Sequence, residues 1–215
     1  MTRAGPTVPW TIIAYDLNEY PFPALVARIL RTSELAGLRP SEDVPLLSRQ
    51  MDQSTAFHRM FYENFDGELR AVYEAFIAEV IADELGEPFC FQAVPTFRVH
   101  LPGNVAVGEF HRDADYHHPP GELNYWLPLT PAWDSNTVWI EVPGTERQLP
   151  AAAMPGQVVH FDALNLRHGN VQNQTGVTRV SFDFRCIPLR LYAESEGRSV
   201  NTGRRFAIGE YYKHL

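Results

Sequence analysis

A chain of 215 residues, 45% of them hydrophobic, is long enough to bury a full core and fits one domain over 1–215. Its formal net charge of −8 disfavours nucleic acid or an anionic membrane surface, either of which needs a basic patch, and makes a cationic or neutral small molecule the easier guest. Two cysteines, Cys90 and Cys186, exclude a disulfide framework and a thiolate metal site, and no apolar run reaches the ~18 residues of a membrane span, so the expectation is a cytoplasmic protein.

Pro21-Phe22-Pro23 opens a helix predicted over 24–36, with Leu25, Ile29 and Leu35 near helical spacing and Gly37 as its stop. A loop containing Pro40 and Pro45 leads to a second helical stretch over 52–65 with Phe57, Met60 and Phe61 on one face. Asp66 reads as the N-cap of a longer helix, in which Leu69, Val72, Tyr73, Phe76, Val80 and Leu85 form an apolar stripe ended by Gly86. Such a stripe is core, and residues 1–88 form a helical support.

From Phe89 the period changes to two. Alternating runs at 97–101, 123–129, 137–142, 157–161 and 177–187 predict strands, and Pro-Gly pairs between them indicate an antiparallel barrel rather than a parallel α/β sheet. The expected fold is mainly β with N-terminal helices: a double-stranded β-helix, or cupin-like jelly roll, over 89–188. Residues 189–215 form an extension that could cap a sheet edge or contact a second subunit in a homodimer. On the last long strand Arg179, Ser181, Asp183 and Arg185 share one face and Val180, Phe182 and Phe184 the other, which lines the roll with polar groups.

His111-Arg112-Asp113, followed by His168 and then by Arg179-Val180-Ser181, carries the chemistry. Two imidazoles and one carboxylate form the ligand set that holds non-haem Fe(II) on one face and leaves the other open. About one His-x-Asp/Glu triplet is expected by chance in this composition, and a second one, His160-Phe161-Asp162, does occur. Order and spacing separate the two: His111/Asp113 stands well before the separate His168 and the Arg-x-Ser beyond it, whereas His160/Asp162 lies almost against His168. His160 and Asp162 therefore read as polar residues at a strand end.

At these residues the chain resembles the Fe(II)/2-oxoglutarate-dependent oxygenases, specifically their phytanoyl-CoA-dioxygenase-like branch. Asn136 to Glu146, with its apolar strand and Pro143-Gly144-Thr145, and Gly156 to Phe161, before the distal histidine, extend the likeness over about Phe97 to Pro188. The resemblance implies His111, Asp113 and His168 as iron ligands, with 2-oxoglutarate and O2 as co-substrates. Arg179 would pair with the distal carboxylate of 2-oxoglutarate, Ser181 would add a hydrogen bond, and Trp126, Asn124 and His100 would lie beside it. Glu146 stands where the branch has a His. Asp113 keeps the carboxylate that the radical halogenases of the superfamily lose, which argues against halogenation.

More narrowly, the run from His111 to Gly121 and the run from Arg179 to Arg185 are similar to small oxygenases of aminoglycoside biosynthesis, of streptomycin and hygromycin type, one of which closes an orthoester ring. That similarity implies a sugar-type substrate, antibiotic biosynthesis, and oxidative ring closure or hydroxylation. Asp115, His117 and His118, in the loop after the first ligands, and Arg98 and Asp183, from the inner face, are the candidate substrate contacts. Asp183 and Arg185 could equally be a buried ion pair. The rival reading is a cupin-like protein that binds or isomerises a sugar without redox chemistry, which gives no reason for the Arg-x-Ser.

Overall fold

A computed structural model describes residues 8–41, 54–105, 110–200 and 202–215. Among the described residues, ten strands run as β1 (Trp10–Ala14), β2 (Phe89–Gln92), β3 (Thr96–His100), β4 (Leu123–Pro128), β5 (Trp139–Glu141), β6 (Gln148–Pro150), β7 (Gln157–Phe161), β8 (His168–Gly169), β9 (Arg179–Pro188) and β10 (Tyr212–His214). A seven-stranded sheet has the order β1-β7-β4-β9-β2-β10, with β3 also paired to β9, and a three-stranded sheet has the order β6-β5-β8. Every strand pair in both sheets is antiparallel, as the jelly-roll expectation required.

The helices cover the outer face of the larger sheet. These are α1 (Phe22–Ile29), α2 (Ala56–Glu63), α3 (Glu68–Phe76) and α4 (Ala82–Leu85), the last two joined through a π-helical turn at Ile77–Ile81. The alternation of β9 decides what they meet: Val180, Phe182 and Phe184 turn outward into the helical layer. Phe22 and Tyr73 stand edge-on to Phe182 at 5.3 and 6.3 Å, and Phe61 stacks on Phe97 of β3 at 4.2 Å. Buried aromatic side chains of this kind contribute about 1.5–3 kcal/mol each, which ties the helices to the sheet more firmly than their intrinsic propensity would. At the free edge of β3 the Phe97 N–H donates to the Tyr62 hydroxyl at 3.0 Å, so α2 partly replaces a missing strand.

Several boundaries differ from expectation. The first helix ends at Ile29, because Leu30 caps it and Arg31 takes φ 54°; Leu35–Gly37 is a separate 3₁₀ turn. The second begins after Thr55, whose hydroxyl accepts the His58 N–H at 3.4 Å; Asp52 and Pro45 lie outside the described residues. Asp66 is not the N-cap of α3. Gly67 holds that position without a side-chain cap, and Asp66 instead pairs with Arg70. Gly86 does close the helix, in the left-handed conformation at φ 63°. Within the stretch expected to be helical, Trp10–Ala14 is a strand, paired residue for residue with β7. The C-terminal segment adds β10 beside β2 and so caps a sheet edge. No helix among the described residues is long and apolar enough to cross a membrane.

Candidate metal centre

Backbone pairing brings the two histidines together. The His111 N–H donates to the His168 carbonyl at 3.0 Å, and the His168 N–H returns the bond to the His111 carbonyl at 2.9 Å. Asp113 begins a 3₁₀ turn whose first N–H is held by the Ala163 carbonyl at 2.9 Å. The three side chains therefore converge: Nε2 of His111 and Nε2 of His168 each lie 3.5 Å from Asp113 Oδ1, and one donor atom from each residue falls within a 4.8 Å group. His168 Nδ1 faces the Leu166 carbonyl at 3.1 Å. A carbonyl only accepts, so that nitrogen carries the proton and Nε2 turns its lone pair towards Asp113.

The electrostatics keep these groups in ligand form. Burial pushes His168 down to about 4, against the pull of Asp113, so its imidazole is neutral at pH 7. Burial alone would raise Asp113, but the Arg185 guanidinium, with His111 and His168, holds its carboxyl well below the usual range. Arg185 donates Nε and Nη2 to Asp113 Oδ2 at 3.1 and 2.9 Å, and Nη1 to Asp183 Oδ2 at 2.8 Å. Asp183 in turn accepts Arg98 Nε at 3.0 Å, completing a buried chain of alternating charge.

At the start of β9 lies Arg179, only 1% exposed. It donates Nε to the Asn136 carbonyl at 3.1 Å and Nη1 to the Ser181 hydroxyl at 2.7 Å, with its guanidinium carbon 5.7 Å from the Trp126 ring centroid. Ser181 also accepts Trp126 Nε1 at 3.1 Å. His100 stands behind this arginine, its Nη2 3.5 Å from His100 Nδ1, while His100 Nε2 faces the Asn104 carbonyl at 2.9 Å. Burial, then the charge of Arg179, pushes His100 down to about 3, so no proton competes with the guanidinium.

One cavity joins these parts. His111, His168, Arg179, Trp126, Asn124, Arg98 and Asp183 line it, with Arg185, Asn170, Val138 and Phe161. Asp113 and Ser181 are attached through the contacts above, and His100 sits one layer behind. The loop candidates do not reach the cavity. Asp115 is exposed and accepts the Arg112 N–H at 3.0 Å, His117 is exposed at φ 63°, and His118 pairs with Glu122 at 2.6 Å. Asp113, His118 and Glu122 also meet the spacing of a metal group. However, Arg185 Nε lies 3.7 Å from Glu122 Oε2 and already holds Asp113, so a cation there would face a guanidinium. His160 contacts Glu84 at 3.2 Å and lies over Tyr125, with no part in the metal group. Arg185, Asn170 and Asn136 were absent from the sequence candidates for the site. Alternation along β9 already placed Arg185 on the inner face, and Asn170 follows His168-Gly169 directly.

No protein-family model matches the chain. Among curated proteins, streptomycin biosynthesis protein StrG of Streptomyces griseus is 41% identical over 203 residues, which is 94% of this chain and 97% of StrG. Among solved structures, EctD from S. alaskensis, crystallised with 2-oxoglutarate and 5-hydroxyectoine, superimposes with a TM-score of 0.56 at 17% identity, over 94% of this chain and 76% of EctD. SnoK, a non-haem α-ketoglutarate-dependent carbocyclase from nogalamycin biosynthesis, gives 0.57 at 14% identity, over 96% and 92% of the two chains. The fold is thus the jelly roll that these non-haem oxygenases share. At 41% identity over nearly the full length of both proteins, the chain belongs to the StrG family.

Proposed function

We propose that this protein is a non-haem Fe(II)- and 2-oxoglutarate-dependent oxygenase of antibiotic biosynthesis, acting on a small polar, sugar-type substrate. The observation that carries the reading is one cavity lined by His111 and His168, which converge with Asp113, and by a fully buried Arg179. The relative's naming for streptomycin biosynthesis supports the pathway, and the 2-oxoglutarate bound by EctD supports the co-substrate.

The donor set fits the ion. Two imidazoles with one carboxylate and no thiolate, their donor atoms gathered at one point, would suit iron. When bound, iron and 2-oxoglutarate supply the oxidation, coupling decarboxylation by O2 to removal of a substrate hydrogen. The chain's own residues place and shield that chemistry. The planar fork of Arg179 suits the distal carboxylate of 2-oxoglutarate, with Ser181 and Trp126 fixing its orientation. Among the described residues, the buried Asn124 Oδ1 has no hydrogen-bond partner, and Asn124 lies on the cavity wall, where it can accept from a ligand hydroxyl. Val138, Phe161 and Trp126 give the cavity its apolar walls and keep water from the reacting centre.

Fe(II) and 2-oxoglutarate added without oxygen should give the weak visible charge-transfer band of the chelated complex, and Arg179→Ala should abolish it. An iron-loaded protein with no band sinks the reading and favours a non-redox cupin. With pathway intermediates as substrates, loss of two hydrogens marks ring closure to an orthoester, and gain of one oxygen marks hydroxylation.

A further inference from the structure

Asp113 has two oxygens, and the structure gives them different work. Oδ1 faces both histidine nitrogens at 3.5 Å. Oδ2 receives both donors from one edge of Arg185, at 3.1 and 2.9 Å. Arg185 has little freedom to let go. Its third donor is held by Asp183 at 2.8 Å, Asp183 is held by Arg98 at 3.0 Å, and the Arg185 side chain is only 8% exposed. The guanidinium charge is balanced by Asp183 on one side and by Glu122, at 3.7 Å, on the other, so its effect on the metal set is more geometric than repulsive.

We infer that Arg185 is a positioning residue that reserves Asp113 Oδ2 and so keeps Asp113 a one-oxygen ligand. The inference rests on the proposed oxygenase function. A carboxylate is able to bind a metal through one oxygen or two, and the second oxygen would fill a position that a three-ligand site must leave open for its co-substrate. Swinging Oδ2 inward would break two charge-assisted hydrogen bonds and strand a buried guanidinium, a cost that solvent does not relieve at this depth. Arg185 thus protects the co-substrate's place on the metal without touching the co-substrate.

Metal binding and co-substrate binding should therefore separate. Co(II) titration followed by absorption reports the metal, and the anaerobic Fe(II) band, titrated with 2-oxoglutarate, reports the co-substrate. In Arg185→Gln, Co(II) affinity should stay within about threefold of wild type while the Kd for 2-oxoglutarate rises about tenfold or more, about 1.4 kcal/mol of lost co-substrate binding. Arg185→Lys, which keeps the charge but loses the fork, should fall between the two. Unchanged 2-oxoglutarate affinity in Arg185→Gln overturns the inference, as does a parallel loss of metal and co-substrate, which marks a merely structural ion pair. If Arg185→Gln does not fold, Asp183→Asn carries the test: it frees the far side of Arg185 and should also weaken 2-oxoglutarate selectively, and unchanged affinity there overturns the inference. A wild-type protein that binds iron yet shows no band overturns the oxygenase reading as well, so the two failures are distinguishable.

Discussion

Arg179 donates Nη1 to the Ser181 hydroxyl at 2.7 Å, from a position two residues earlier on the same strand. The pleat puts both side chains on the inner face, and the same hydroxyl oxygen accepts Trp126 Nε1 at 3.1 Å. Ser181 therefore fixes the guanidinium against the indole before any ligand arrives. Ser181→Ala leaves two buried donors without their acceptor, a loss of about 1–2 kcal/mol in placing the fork. The expected outcome is roughly tenfold weaker 2-oxoglutarate binding with metal binding unchanged. Calorimetric titration of the Co(II)-loaded protein measures it, and an unaltered Kd would show that the hydroxyl does not orient the clamp.

Gly169 sets how closely the two ligand-bearing segments approach. It follows His168, and a Cβ built on it would stand 3.1 Å from both Cα and Cγ of Phe110, the residue before His111. One of those atoms is backbone, so the contact cannot be relieved by turning a side chain. Gly169→Ala should push the His168 segment away from His111 and weaken Co(II) binding by about tenfold or more, as small displacements of metal-supporting groups do. Equilibrium dialysis checks this; metal affinity equal to wild type would mean the pairing has slack.

Legibility in the sequence followed the range of the forces involved. The strand at Gln157–Phe161 and the two faces of β9 were readable because alternation is a local signal. Trp10–Ala14 was not, since it is a short, partly exposed edge strand whose partner, β7, is far along the chain. The two-residue β8 is too short to leave any period. At the site, the residue types and order of His111, Asp113, His168 and Arg179 pointed to one cluster, and the structure gathers them around one cavity. The pairing of Arg185 with Asp113 escaped, because which carboxylate meets a guanidinium is set by how the two sheets close together. Asp115 and His117 follow the ligands closely in sequence, but both side chains are exposed and neither is in the lining of the cavity.

His58 makes stability depend on pH. It is 2% exposed, with Nδ1 2.8 Å from the Thr55 hydroxyl, and burial, followed by the charge of Arg98, pushes its pKa down from 6.5 to about 4. Between those values the unfolded chain binds a proton that the folded protein does not, so this contribution is full above about 6.5 and is lost as the pH falls towards about 4. The total is on the order of 3 kcal/mol. Urea unfolding at intervals through that window should show stability falling with acid, and His58→Gln should flatten the slope. An identical slope in the variant would assign the dependence to other groups.

Phe61 joins the helical layer to β3. It is fully buried and stacks on Phe97 at 4.2 Å with the rings 7° apart, while Arg98 and His100, which follow Phe97 along β3, turn towards the metal cavity and Arg179. Phe61→Ala leaves a cavity between rigid elements and should cost about 3–5 kcal/mol, whereas Phe61→Leu, which keeps most of the volume, should cost about 1.5 kcal/mol or less. For a chain of this size the alanine variant's Tm should fall by roughly 6–20 °C. Because Arg179 is carried by β9, which is paired on both sides, 2-oxoglutarate binding well below the Tm should stay near the wild-type value. Scanning calorimetry and an anaerobic band titration on the same sample separate the two effects; a large loss of co-substrate affinity in the still-folded variant would mean that β3, and not β9 alone, sets the geometry of the clamp.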